Sequence, residues 1–308
     1  MSLPAQIRVI ERGWLSSNNI VCLEGDGATL VDSGYVGHAA QTVELVKSAL
    51  AGSRLSRLIN THSHSDHIGG NATLQREFGC RIAIPAGIEA HIRDWDEAAL
   101  LLTVADQRGE RFRHDGVVTA GETFSMGDLV WEAHAAPGHD MDALVFHCPE
   151  ARLLISGDAL WEDGFGIVFG ELLGQPAGQG GLAATRATLE MLAGLDVDTV
   201  IPGHGAPFAD YAGAIERAFG RLEAFERDPR RVARNAVKAC FIFNLLDLQG
   251  LPRAELESYL DRVPLFGRVC ARLLDMDTPA LAAWLFADLM KAGALEERNG
   301  ILLPTMAA

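Results

Sequence analysis

No stretch of this 308-residue chain stays apolar for the roughly 20 residues that a membrane-spanning helix needs, so no membrane partner is expected. Cysteine is scarce too. Five cysteines, Cys22, Cys80, Cys148, Cys240 and Cys270, are scattered singly, with no Cys-x-x-Cys pair and an odd total. That argues against a disulfide framework and for a reducing compartment, with most thiols serving as small core residues. The first six residues lack a basic region followed by an apolar core. No secretory signal is read there, and a cytoplasmic location is expected. Positive charge is also in short supply: 26 Lys and Arg stand against 41 Asp and Glu, a net charge of −15. Beyond residue 215 the two signs balance at 13 each, so the first 215 residues carry the whole deficit. Such a surface repels phosphate backbones and disfavours nucleic acid as a partner. Bound dications would cancel part of it.

What is present is a globular composition. Hydrophobic residues make up 48% and charged residues 22%, enough for a real core in one large domain or a domain plus an appendage. The densest chemistry lies at 61–70, Thr-His-Ser-His-Ser-Asp-His-Ile-Gly-Gly. Three imidazoles and a carboxylate fall within six residues, His62 to His67. Each is an ordinary zinc ligand, and each is costly to bury unpaired. The run follows a short apolar strand at 55–60 and precedes a helix expected over 67–78. In such a strand-to-helix loop His62 and His64 can chelate one metal while Asp66 and His67 turn toward a second.

Strands are expected at 7–11, 19–23, 28–31, 81–84, 130–135, 143–147, 152–155 and 199–201. A tight turn is read at Gly25-Asp26-Gly27. Helices are expected at 39–50, 87–108 and 185–195. The apolar block at 98–102 within the second helix is core by one reading. By another it covers the active site or forms a subunit contact in a homodimer. Several strands end in loops bearing His or Asp: the 62–67 run, then His139, Asp158 and His204. One strand-end His is unremarkable; four such loops suggest one site at one edge of a sheet. Neighbouring glycines would let the backbone crowd close to it. Asp32, at another strand end, either caps the following turn or orients the metal loop from behind. The glycine-rich connection at 164–181 is of a length usually functional or mobile. His134 and His147 lie within strands and receive no assignment.

Taken together, Thr-His-x-His-x-Asp-His at 61–67, Pro-Gly-His at 137–139, Ser-Gly-Asp at 156–158, Pro-Gly-His-Gly at 202–205 and the strand ending Asp-Ser-Gly at 32–34 resemble the metallo-β-lactamase superfamily over about residues 5–215. The resemblance implies an α/β fold, a four-layer αββα sandwich. It also implies two divalent metal ions, zinc before iron or manganese. His62, His64 and His139 would hold one, and Asp66, His67 and His204 the other, with Asp158 bridging. Asp158 stands where the antibiotic-cleaving members with two zincs usually place cysteine. His67 is as in the glyoxalase II-like, lactonase and ribonuclease branches. The third loop departs from the common Pro-Gly-His-Thr pattern and adds Asp140 and Asp142, either bonded to cationic substrate groups or solvated.

Residues 216–308 read as a separate, mainly helical domain following the catalytic domain at 1–215. Helices near 215–227, 253–260 and 279–292 precede a hairpin turned at Asn299-Gly300, a winged-helix-like arrangement. Arg227, Arg230, Arg231, Arg234 and Lys238 form a basic helical stripe, either a solvated face or an anion clamp.

The activity expected is hydrolysis of a small-molecule thioester, ester or lactone by water that two metals activate to hydroxide. Asp66 and Asp158 would be its catalytic carboxylates. Tyr35, Phe165 and Phe169 are candidates for lining the substrate cleft. A phosphodiesterase or ribonuclease whose C-terminal module grips nucleic acid is the alternative enzyme, and an oxygen-using iron protein would carry similar ligands. A non-catalytic metal protein is the alternative outside enzymes.

Overall fold

The computed structural model describes residues 3–25, 27–173, 180–269 and 273–306. Asp26 of the expected turn, residues 174–179 of the glycine-rich connection and Cys270 lie outside the described residues.

Two sheets face each other. The first contains β1 (Ile7–Ile10), β2 (Asn19–Glu24), β3 (Gly27–Val31), β4 (Arg54–Ile59), β5 (Arg81–Pro85) and β6 (Gly116–Val118), in that spatial order. It is antiparallel from β1 to β3 and parallel from β3 to β6. The second contains β7 (Thr123–Met126), β8 (Leu129–Ala135), β9 (Leu144–Cys148), β10 (Leu153–Gly157) and β11 (Thr199–Pro202), ordered β11-β10-β9-β8-β7. It is antiparallel except where β10 runs beside β11.

Between the strands run α1 (Ala39–Leu50), α2 (Ser65–Ile68), α3 (Asn71–Phe78), α4 (Glu89–Asp94), α5 (Leu102–Ala105), α6 (Phe169–Leu173) and α7 (Gly181–Ala193). Beyond β11 come α8 (Tyr211–Arg227), α9 (Arg230–Leu248), α10 (Leu256–Arg262), α11 (Pro264–Val269) and α12 (Thr278–Lys291). A small sheet closes the described chain: β12 (Leu251–Pro252), β13 (Leu295–Arg298) and β14 (Ile301–Pro304), with β14 central. Asn299 and Gly300 between β13 and β14 both have positive φ, +52° and +76°, as a type I′ turn requires.

Strand alternation explains the layers. Cys22, Val31 and Ile59 of the first sheet meet Trp131, Phe146, Ile155 and Ile201 of the second in one apolar seam. Their sequence neighbours point the other way. Val21, Leu30 and Leu58 pack beneath Val43, Val46 and Leu74 of α1 and α3. Val145, Leu154 and Val200 pack against Leu189 and Leu192 of α7. The result is helix, sheet, sheet, helix, with strands buried on both faces and therefore apolar throughout. The C-terminal helices belong to the same apolar cluster as α7: Phe225, Val237, Phe241, Tyr259 and Leu285 join it without a break.

Several sequence expectations need correction. The helix expected over 67–78 is two helices, α2 and α3, parted at Gly69-Gly70. A Cβ on Gly70 would lie 2.3 Å from the Ser33 carbonyl oxygen, so the chain passes too close to the Asp32 loop for a larger residue. The helix expected over 87–108 is only α4 and α5. Trp95, Leu101 and Asp106 adopt left-handed φ between +55° and +60°, which breaks it. Strands β6 and β7 were not anticipated. Apart from these corrections, α8 runs unbroken through residues 215 and 216, where the second domain is expected to begin.

Candidate metal centre

Strands β4, β8, β10 and β11 all deliver their C-terminal ends to one edge of the paired sheets. From these ends come His62 and His64, His139, Asp158 and His204; Asp66 and His67 follow on α2. The seven side chains converge in two groups. His62, His64 and His139 form one; Asp66, His67, Asp158 and His204 form the other, with ligand atoms in each group within 4.8 Å of one another. Asp158 stands between them: its Oδ2 is 3.4 Å from His139 Nε2 and its Oδ1 3.5 Å from His67 Nε2. On the far side, Asp66 Oδ2 lies 3.0 Å from His204 Nε2.

The residues fit a pair of cations. Several rings are fixed by one nitrogen and leave the other facing inward. His67 Nδ1 donates to Asp32 Oδ2 at 2.8 Å. His62 Nδ1 donates to the Thr61 hydroxyl at 3.0 Å, which itself donates to Asp32 Oδ2 at 2.8 Å. His139 Nδ1 donates to the Ile167 carbonyl at 2.6 Å. His62 Nε2 and His67 Nε2 are then buried without a hydrogen-bond partner. His64 presents Nδ1 instead, 2.6 Å from His139 Nε2. Lone pairs oriented from behind and aimed at common points are what metal ligation requires. Histidine and carboxylate donors of this kind suit zinc and neighbouring divalent metals.

The electrostatics agree. Burial, then the neighbouring histidines, holds His62 well below the usual imidazole range, and burial with His139 pushes His64 down to about 4. Burial works against ionisation of Asp158 and Asp66, but His204 and His67 outweigh it and keep both carboxyls low. His67 is the exception. Burial disfavours its cation, yet Asp32, Asp66 and Asp158 raise it well above the usual value.

Asp32 thus faces the metal loop with both carboxylate oxygens, since its Oδ1 also accepts from the Thr61 N–H at 2.9 Å. Asp140 does similar work. Its Oδ2 accepts from the backbone N–H and the hydroxyl of Ser63, at 3.1 and 2.7 Å, pinning the residue between His62 and His64. Neither role for Asp140 expected from sequence, solvation or substrate pairing, describes this contact. Gly203 explains the crowding at the fourth loop: a Cβ there would fall 2.2 Å from Asp158 Oδ1.

The centre is the polar end of a cleft of about 530 Å³, a volume that includes its open mouth. Apart from the ligands, Trp14, Leu101, Gln107, Trp161, Phe169 and Phe243 shape it, and Ala239 and Cys240 complete the α9 side. Phe169 lies on the cleft wall, its ring 5.1 Å from that of His64. Tyr35 and Phe165 do not line this cleft. Tyr35 is fully buried, its hydroxyl donating to Asp247 Oδ2 at 2.9 Å, and Phe165 turns into the core beside Phe225. Of the 98–102 block Leu101 lines this cleft, while Leu100 and Leu102 are core. Sequence reading missed Trp14 and Trp161, which pack on His204 with centroids 5.0 and 5.6 Å away. Trp161 also donates to Asp158 Oδ1 at 3.2 Å, and its position three residues after the ligand was the available signal. Nothing marked Gln107 or the α9 residues. Burial pushes the Cys240 thiol up to about 12, so the cleft offers no thiolate nucleophile.

Two adjacent groups of metal-ligating side chains are consistent with a binuclear divalent-metal centre and with hydrolytic chemistry on small organic substrates. Comparison with known proteins agrees. A hydroxyacylglutathione hydrolase of Rhodopseudomonas palustris is 29% identical over 168 residues, 54% of this chain and 56% of that protein. One from Methylococcus capsulatus is 28% identical over 169 residues, 53% and 56% of the two chains. The chain thus spans little more than half the length of these relatives. Among solved structures, a metallo-beta-lactamase family protein from Thermus thermophilus superposes over 98% of this chain and 100% of its own, with a TM-score of 0.59 at 19% identity. A subclass B3 metallo-beta-lactamase of Bradyrhizobium japonicum covers 74% of this chain and 92% of its own, with a TM-score of 0.54 at 20% identity. The family model described as the metallo-beta-lactamase superfamily matches residues 12–204, well over half the chain. The chain belongs to the metallo-beta-lactamase superfamily.

Proposed function

We propose that this protein is a metal-dependent hydrolase of small, uncharged thioesters, esters or lactones whose acyl group is apolar. His62, His64 and His139 would hold one divalent ion, and Asp66, His67 and His204 a second, with Asp158 shared. Zinc is favoured by the donor set over iron or manganese. When bound, such a pair supplies a nucleophile from water at neutral pH and polarises the scissile carbonyl.

The chain's own residues do the rest. Asp158, whose carboxyl His204 and His67 keep low despite its burial, is the carboxylate that the two ions would share. Asp66, also kept ionised, lines the cleft and is the residue we assign to hold a water proton and pass it to the leaving group. Trp14, Trp161 and Phe169 exclude bulk water around His204 and His64.

One observation carries the substrate class. Among the described residues no Lys or Arg lines the cleft. An anionic thioester such as an acylglutathione would bring carboxylates into an apolar cleft without a cation to meet them, which is costly. An apolar acyl chain would instead bury against Leu101, Phe169 and Phe243.

The test is a hydrolysis panel on protein of measured metal content. Matched alkyl or aryl thioesters, lactones, S-acylglutathiones and phosphodiesters would be compared. The expected result is a kcat/KM at least tenfold higher for the uncharged substrates, with activity lost in His62→Ala and Asp158→Ala. Preference for the acylglutathione would overturn the substrate class. Full activity after complete metal removal would overturn the hydrolase reading itself.

A further inference from the structure

A second concentration of metal-ligating side chains lies outside the cleft, on the outer sheet. Strands β8 and β9 pair antiparallel, with Glu132 opposite His147 and His134 opposite Val145. Alternation along β8 sends Trp131 and Ala133 between the sheets, and along β9 it sends Phe146 and Cys148 there. Glu132, His134 and His147 consequently share the other face. Glu132 and His134 are two apart on one strand, and His147 stands across from Glu132 on the next. Directly opposed and i,i+2 positions on one face of a sheet bring side chains within reach of one another.

The three offer ligand atoms within 4.8 Å of one another. His134 Nε2 is 3.5 Å from Glu132 Oε2, and the two imidazole rings are 6.0 Å apart. His147 is the informative residue. It is only 5% exposed, and its Nε2 lies 3.2 Å from the Asp196 carbonyl oxygen. A carbonyl only accepts, so Nε2 carries the proton and Nδ1 carries the lone pair. That Nδ1 is buried with no hydrogen-bond partner, and so is His134 Nε2. A backbone carbonyl fixing the tautomer of a ring whose other nitrogen is bare is the usual support for a metal-bound imidazole. Burial, the larger effect, holds both rings below the usual imidazole range although Glu132 pushes the other way. Both rings are thus neutral and ready to ligate at neutral pH.

We propose that Glu132, His134 and His147 form a third divalent-cation site of the zinc type, separate from the binuclear centre. Two imidazoles and one carboxylate leave at least one position open to water or to a ligand from outside. Half-exposed Glu132 gives solvent access, and buried His147 anchors the site. An ion there would bridge β8 to β9. It would brace the strand whose end leads into Pro137, Gly138 and His139. None of the three residues lines the catalytic cleft, so the site stands independently of the proposed hydrolysis.

The experiment is a Zn2+ titration of metal-stripped, full-length protein followed by isothermal calorimetry, repeated with Co2+ by absorption. The wild type is expected to take three equivalents per chain, two tight and a third weaker. His134→Gln and the near-isosteric Glu132→Gln should each stop at two and keep the tight pair. Asp158→Ala should disturb the tight pair and keep the third. Zinc-edge anomalous scattering from soaked crystals should place a peak among the three side chains. A wild-type titration that ends at two equivalents, or a third equivalent that survives in both the Glu132 and His134 variants, would overturn the proposal.

Discussion

Asp32 has a φ of +58°, uncommon for any residue but glycine, and spends both carboxylate oxygens on the metal loop. Its value lies in what it accepts. Asp32→Asn would turn an acceptor toward His67 Nδ1 into a donor and free that ring to choose the wrong tautomer. Zinc affinity in both Asp32→Asn and Asp32→Ala is expected to fall by about 10–100-fold, measured by competition against a chromophoric chelator. Wild-type affinity in both would remove Asp32 from the site's support. Phe169→Ala is expected to lower kcat/KM on apolar substrates about tenfold, chiefly through KM, since burying an aromatic side chain is worth about 1.5–3 kcal/mol. Steady-state kinetics decide it, and an unchanged KM would place the acyl group elsewhere. At this scale the seven ligand types were legible because they recur at strand ends. Tyr35 was misread because sequence does not tell which way an aromatic ring points, and its hydroxyl was already claimed by Asp247. The work of Asp140 on Ser63 was illegible for the same reason: it is a contact across 77 residues.

Elements matter through how closely they approach. The β11 exit brings Gly203 against Asp158, and the Gly69-Gly70 step lets α2 and α3 tuck beneath the β3 loop. Gly203→Ala must displace either the carboxylate or the loop carrying His204. The variant is expected to fold, by circular dichroism, but to retain less than half the wild-type metal after purification. Full metal retention would show that the loop yields more easily than the distances suggest. The long buried strands were readable because both their faces are apolar, which produces continuous Val, Ile and Leu runs. Strands β6 and β7, three and four residues long and partly exposed, offer no such run. The break between α4 and α5 was hidden because ordinary residues, Trp95 and Leu101, adopt the left-handed turns in place of the glycine that would have announced them.

For the whole molecule, the C-terminal helices are a wall of the cleft as well as an appendage. Ala239, Cys240 and Phe243 of α9 line it. Further along α9, Asp247 ties back to the first 215 residues, accepting from the Tyr35 hydroxyl and pairing with Arg108, which also packs over the Tyr35 ring. Asp247→Ala leaves a buried hydroxyl without its acceptor. It is expected to cost about 1–3 kcal/mol in urea unfolding. Two probes, one in each half, should still unfold together, because one apolar cluster spans both. Separate transitions would contradict that continuity. Part of the basic stripe already has a partner: Lys238 pairs with Asp288 of α12 at 2.9 Å. The helical character of the chain after residue 215 was legible in its apolar spacing. The shared wall was not, since it depends on α9 folding back over a site encoded well before it. That order has a consequence for truncation. All seven candidate ligands precede residue 205, ahead of Ala239 to Phe243. A chain cut before α9 would keep every candidate ligand in its sequence and lose one whole side of the cleft, Ala239, Cys240 and Phe243 together.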